Sequence, residues 1–376
     1  MAGPISLFFR RIARKVAVVP TYARNSQVVR TLWMHSTPRK VFNLVLIELE
    51  YRLRKKRLFG RPYILVVDPT NVCNLRCPLC PTGLLNRGRP GKMMEWDVFT
   101  STIDQLAPWA YKVNLFNWGE SLLHSHIFEM IAYVKAKNLG TTLSTNLSLK
   151  LDDEKIDQLV TSGLEFICLS IDGVTQENYA HYRRKGELSL VLENVQRLVA
   201  RRVALGSKTP LIEWQFIPMR HNQHEVEPAR QLAAEMGVDL FRCIPVGFPF
   251  DAANPEELAK EWKPQGETAE QIGGEEISSN DQSPASCYFL YRYLVVNPDA
   301  KISPCCVVSG EAHDFGDLGQ QPLPVIWNND KYRAARSLFS ANNDITTSTV
   351  CDGCELFKKR SFSRLTAASA VDNEVA

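Results

Sequence analysis

Short apolar runs alternate with longer stretches in which apolar residues recur every three or four positions. The runs at 63–67, 112–116, 141–144, 166–170, 211–217 and 240–243 have the length of buried strands. Helical spacing fills the gaps between them, so the pattern predicts a parallel α/β fold. Ahead of the first run, Ile5, Phe8, Phe9, Ile12, Val16 and Val19 recur at helical spacing, while Arg10, Arg11, Arg14 and Lys15 fall elsewhere on the wheel. A second amphipathic segment, 41–57, ends in Arg52, Arg54, Lys55, Lys56 and Arg57. The pattern breaks after residue 250. Nine acidic residues between 251 and 284 face only Lys260 and Lys263, and large apolar residues are few, as in a linker or flap. Four regions result: a basic arm (1–61), an α/β core (62–250), an acidic linker or flap (251–284) and a cysteine-bearing domain (285–376).

Composition narrows the class. With 376 residues, 45% hydrophobic and 23% charged, the chain suffices for a barrel-sized domain and a smaller one, and no apolar run of membrane-spanning length occurs. Ten cysteines without a recognisable secretory signal argue for a reducing compartment and metal ligation rather than disulfides, so a cytoplasmic protein is expected. Residues 1–61 hold 14 Lys and Arg against Glu48 and Glu50, a local charge of +12; the whole chain carries +3, leaving about −9 on the remainder. Three readings of the arm stay open: it lies on an anionic membrane surface, placing the protein at the inner face of the membrane; it packs on the core; or it is a transit segment. No nucleic-acid module accompanies the charge, and no nucleic-acid partner is expected.

The candidate chemistry lies in the cysteines. Cys73, Cys77 and Cys80 follow the first run, at the strand end where barrel-type α/β enzymes carry their sites. Zinc sites usually fill four positions, and this triplet has no fourth cysteine nearby. A second set comprises Cys287, Cys305 beside Cys306, Cys351 and Cys354; with one tight Cys-x₂-Cys pair, an iron–sulfur cluster is the better match and a zinc knuckle the alternative. Cys168 and Cys243 read as core residues, and His221 and His224 lie on the loop after the fifth run.

The Cys-x₃-Cys-x₂-Cys spacing resembles that of the radical S-adenosylmethionine (radical SAM) family. Further motifs agree in order: Asn117-Trp118-Gly119-Glu120-Ser121, Ser144-Thr145-Asn146, Ser170-Ile171-Asp172-Gly173 and Tyr182-Arg183-Arg184-Lys185-Gly186. The resemblance implies an open six-stranded, TIM-like (β/α)6 barrel. It implies that Cys73, Cys77 and Cys80 hold a 4Fe-4S cluster with one open iron for SAM, that Gly119 and Glu120 meet the SAM amino group, that Asn146 and Ser170 meet its ribose and carboxylate, and that Arg183 pairs with the carboxylate. Ser121 stands where the family usually has Pro, which loosens that turn. Residues 297–304 are similar to the turn before the cluster cysteine in SPASM and twitch domains, with Ala300 where Gly is usual. That likeness implies an auxiliary 4Fe-4S cluster on Cys287, Cys305, Cys351 and Cys354. The function implied is radical SAM oxidation of a carbohydrate-like or lipid-linked substrate, with the auxiliary cluster as electron acceptor and flavodoxin or ferredoxin as donor. The alternatives are a peptide-modifying maturase and a non-catalytic iron–sulfur electron carrier.

Overall fold

A computed structural model describes residues 27–266, 287–340 and 347–354. Among the described residues, nine strands form one sheet in the order β6-β5-β4-β3-β2-β1-β7-β8-β9. Strands β1 (Ile64–Val67), β2 (Lys112–Asn114), β3 (Gly140–Thr145), β4 (Phe166–Ser170), β5 (Leu211–Phe216) and β6 (Leu240–Cys243) all run parallel. These are the six runs expected, with small changes at their ends. All five residues of β4 are buried, which is why it reads as an unbroken apolar run rather than an alternating one.

Among the described residues, two helices precede the sheet, α1 (Gln27–His35) and α2 (Pro38–Arg52). Between and after the strands come α3 (Trp96–Leu106), α4 (Ile127–Ala136), α5 (Asp153–Thr161), α6 (Gln176–Tyr182), α7 (Leu188–Ala204), α8 (Val226–Glu235) and α9 (Pro255–Trp262). Capping fixes several of their starts: Thr37 accepts from the Lys40 N–H with Pro38 following, Asp152 accepts from the Lys155 N–H, and Thr175 from the Asn178 N–H. Their inner faces, including Phe99, Ile103, Met130, Ile131, Val191 and Leu198, join Leu65, Val113, Leu143, Ile167, Leu169 and Trp214 of the sheet in one core. The architecture is a partial TIM-like barrel.

The cysteine-bearing domain is not a separate bead. Its strand β7 (Tyr293–Val296) pairs in parallel with β1, from Ile64 opposite Tyr293 to Val67 opposite Val296, and so covers the edge the barrel would leave open. An antiparallel hairpin to β8 (Lys301–Ser303) follows, then β9 (Gly316–Asp317). Ala300 in the hairpin turn has φ +67°, so the position usually held by Gly keeps its left-handed backbone despite the side chain. Arg89, almost fully buried, donates to both Asp299 and Asp314 at 2.8 Å and clamps this hairpin to the loop after Cys80.

The described residues add detail to two of these regions. The described part of the 251–284 linker contains α9, whose Trp262 is buried against Leu75, Cys77, Leu79, Tyr182 and Met219. The described part of the arm packs across the N-terminal ends of the strands: Gln27 reaches Thr142, His35 meets Glu165 at 3.0 Å just before β4, and Lys40 donates to the Asn138 carbonyl ahead of β3. The 5–19 segment lies outside the described residues.

Candidate functional site

The loop after β1 is held from several sides. Thr70 Oγ1 donates to the Lys92 carbonyl and accepts from the Val72 N–H, while the Asn71 side chain accepts from the Lys92 N–H and donates to the Pro90 carbonyl. The Glu120 N–H then donates to the Val72 carbonyl at 2.9 Å. This brings Gly119 so near that a Cβ there would lie 1.8 Å from the Thr70 carbonyl oxygen, a position only glycine tolerates. Ser121 does not loosen the turn: its hydroxyl is fully buried and donates to the Leu115 carbonyl at 2.7 Å, fastening the turn to the chain leaving β2.

Glu120 is buried and divides its carboxylate between the Leu122 N–H at 3.1 Å and the Asn146 N–H at 2.8 Å. Burial raises its pKa, and those two N–H groups pull the other way. A carboxylate has about four lone-pair sites, so capacity remains for an ammonium donor. The Asn146 amide donates to Asn74 Oδ1 at 3.0 Å and lies 3.8 Å from the Cys73 sulfur. Ser170 Oγ sits 3.4 Å from Ser144 Oγ at adjoining strand ends. Next to it, the buried Asp172 accepts from Arg183 Nε at 2.6 Å and from the Ile217 N–H at 2.7 Å. Arg183 also lies against the Cys77 thiol, and Asp172 is the first favourable influence holding its pKa well above the usual arginine value against burial. Two chains of contact therefore converge on the cysteine loop, Glu120–Asn146–Cys73 and Asp172–Arg183–Cys77.

Burial disfavours the bare thiolate at several of these sulfurs. Burial pushes Cys73 up to about 12, opposed by the Leu75 N–H and reinforced by Glu120, Cys77 and Cys80; burial likewise raises Cys77. In the second set, burial and then the neighbouring Cys305 push Cys287 up to about 12, and Cys351 is raised by burial and by Cys287, Cys305 and Cys354. Each set gathers soft sulfur ligands that burial keeps protonated, and a cationic metal group would stabilise them as thiolates. The donor sets fit iron–sulfur clusters: three thiols, leaving a ligand position open, on the β1 loop, and four in the C-terminal domain. Cys306 is a fifth thiol beside Cys305, also pushed up to about 12, by burial first. Cys168 is buried in β4 as expected of a core residue.

Asn74, Met219, Trp262 and the Arg89 clamp carry no motif signal that places them at the site in sequence. Asp172 was quotable as a strand-end polar residue, but its pairing with Arg183 was not. Trp262 had a signal, a lone Trp in an otherwise polar stretch.

Residues 67–212 match the profile of the radical SAM superfamily, and residues 287–355 match SPASM, an iron–sulfur cluster-binding domain. The chain therefore carries a radical SAM domain and a SPASM domain. This radical SAM protein is 31% identical to GTP 3′,8-cyclase of Chlorobaculum tepidum over 145 residues, 38% of this chain and 43% of that relative, and so spans under half of the relative's length. It is 27% identical to PqqA peptide cyclase of Gluconobacter oxydans over 284 residues, 71% of this chain and 76% of the relative. In fold it is similar to SuiB from Streptococcus suis bound to S-adenosylmethionine, with a TM-score of 0.58 at 14% identity, covering 93% of this chain and 82% of that one. The radical SAM domain implies a 4Fe-4S cluster and SAM as cofactors, and the SPASM domain implies auxiliary iron–sulfur binding.

Proposed function

We propose that this enzyme oxidises an alcohol or related carbon of a carbohydrate-like or lipid-linked substrate, with an auxiliary cluster as electron acceptor and a ferredoxin or flavodoxin as donor. Cys73, Cys77 and Cys80 would hold the SAM-binding cluster, and Cys287, Cys305, Cys351 and Cys354 the auxiliary one. When bound, these groups supply a 5′-deoxyadenosyl radical from SAM and an acceptor for the electron left on the substrate. Glu120 orients the SAM ammonium while bracing the β2 and β3 loops together. Arg183, aimed by Asp172, pairs with the SAM carboxylate, a task suited to its planar fork. Trp262, Tyr182 and Met219 keep water from the cysteine loop.

The observation that carries the SAM-binding part of this reading is the convergence of Glu120–Asn146 and Asp172–Arg183 on two cysteines of one loop, which an electron carrier has no need of. Four thiols in the C-terminal set, enough to fill the auxiliary cluster's protein positions, support the electron-acceptor part. A peptide substrate is the second reading, favoured by the similarity to PqqA peptide cyclase over most of both chains. The test is anaerobic reconstitution. Iron analysis should return about eight irons per chain, four for each cluster, and replacing Cys73, Cys77 and Cys80 with Ala should remove about half. Dithionite-reduced protein should release 5′-deoxyadenosine from SAM, and Glu120→Ala should weaken SAM binding by roughly 1.5–3 kcal/mol, the range for a charge-assisted contact. Panels of deuterated polyols and peptides then separate the two readings by which one passes deuterium into 5′-deoxyadenosine. Four irons with one zinc would overturn the electron route.

A further inference from the structure

Helix α2 turns a mixed face inward and leaves an apolar one outside. Its inward face carries Ile47 and Tyr51, which join the core, together with buried Lys40, Asn43 and Glu50: Lys40 Nζ donates to the Asn138 carbonyl, Asn43 bridges Arg61 and Trp109, and Glu50 accepts from the N–H groups of Phe59 and Gly60. Its outward face is apolar. Val41, Phe42, Val45 and Leu49 follow one another at spacings of one, three and four residues, with Leu53 four positions on, and all are exposed, Phe42 to 67%. Trp33 on α1, 88% exposed, and Phe59, 80% exposed, add two aromatic rings to the same arm. An apolar stripe of this extent, turned away from its own core, marks an interaction surface.

Charge decides the occupant. Exposed Arg39, Arg52, Lys55 and Arg57 lie along the same segment, whereas both acidic residues of the arm are turned to internal partners: Glu48 holds Arg292 and Tyr63, and Glu50 holds backbone N–H groups. Residues 1–26 add Arg10, Arg11, Arg14, Lys15 and Arg24 and no acid, so the arm's own preceding segment is repelled by this rim, as is the same face of a second copy. An anionic lipid surface matches both features at once, an acyl boundary for the stripe and phosphate charge for the rim.

We propose that the outer face of α2, with Trp33 and Phe59, docks the enzyme on anionic membrane. This is independent of the substrate reading. The docking face lies at the N-terminal ends of the strands, where His35, Lys40 and Asn43 make their contacts, and the cysteine loop lies at the C-terminal ends. Docking therefore leaves the SAM site facing the aqueous side, open to a soluble substrate and an electron donor.

The test uses full-length reconstituted protein and sedimentation with phosphatidylcholine vesicles, with and without phosphatidylserine. Wild type should pellet only with the acidic vesicles and release as salt rises, since the Debye length shrinks to about 3 Å at 1 M. Phe42→Ser, Val45→Ser and Leu49→Ser combined should abolish pelleting with iron content and SAM cleavage unchanged, because these side chains are more than half exposed and none belongs to the buried core. Lys55→Glu with Arg57→Glu should weaken it by roughly fivefold or more per residue. Wild-type pelleting by the triple Ser variant would overturn the proposal, as would wild type that ignores acidic vesicles. A wild-type dimer that the triple variant converts to monomer would assign the face to a second copy instead, overturning it equally.

Discussion

Replacing Gly119 by Ala tests the site where its construction is tightest. The added Cβ would lie 1.8 Å from the Thr70 carbonyl oxygen, 2.6 Å from its carbon and 2.9 Å from the Val72 carbonyl oxygen. Reaching even 3.0 Å from the first atom requires the backbone to retreat by about 1.2 Å, and no flexible side chain is present to yield instead. Thr70 is anchored by its bonds to Lys92 and Val72, and Val72 by its bond from the Glu120 N–H, so moving the segment breaks two or three hydrogen bonds at about 1 kcal/mol each. The expected loss is roughly 3 kcal/mol of local stability. The shift is delivered to Cys73, the next residue, and a displacement of about 1 Å at a reacting centre can cost about a hundredfold in rate. The assay is 5′-deoxyadenosine release by anaerobic, dithionite-reduced protein, with iron content and melting temperature measured alongside. Gly247→Ala serves as the control, because a Cβ there meets nothing within 4 Å and the backbone is not left-handed; its melting temperature should stay put. Wild-type SAM cleavage by Gly119→Ala would refute the reasoning, since the Thr70 contact would then have been absorbed without moving the cysteine loop.

Three further outcomes are expected. Ala300→Gly should raise the denaturation midpoint, with a gain of about 1 kcal/mol, because φ +67° strains Ala and not Gly; no change would mean the turn has relaxed. Arg89→Met should cost about 3–5 kcal/mol by leaving Asp299 and buried Asp314 without their shared cation, and heating should release auxiliary iron first; adding Asp314→Asn should recover part of the loss. Asp68 is pushed up to about 7 by burial, opposed by the N–H groups of Trp118, Gly119 and Asn117 and by Arg89. Between about pH 4 and 7 the folded protein keeps a proton that the unfolded chain has released, so stability falls as pH rises through this window and levels off above it. Asp68→Asn should flatten that slope in melting temperatures measured across the window, and an unaltered slope would assign it to other groups.

What the sequence determined by itself was local. Six apolar runs predicted six parallel strands because a strand buried on both faces declares itself in consecutive residues, and β4 is the plainest case. The cysteine triplet, the Gly119-Glu120 pair and the four later cysteines were legible because each lies on a short loop with its own spacing. Tertiary structure decided everything that depends on partners distant in the chain. That Ser121 fastens its turn, that Arg183 is aimed by Asp172, and that Arg89 reaches Asp299 and Asp314 more than 200 residues away follow from which loops the parallel strands bring to one end. Helix α2 shows the division most sharply. Its sequence declared an amphipathic helix, yet only Ile47 and Tyr51 join the core while Val41, Phe42, Val45 and Leu49 stay exposed. Buried hydrogen-bond partners for Lys40, Asn43 and Glu50 exist only once the strands, the Asn138 turn and the Gly60 loop are assembled, and those partners set which face looks out.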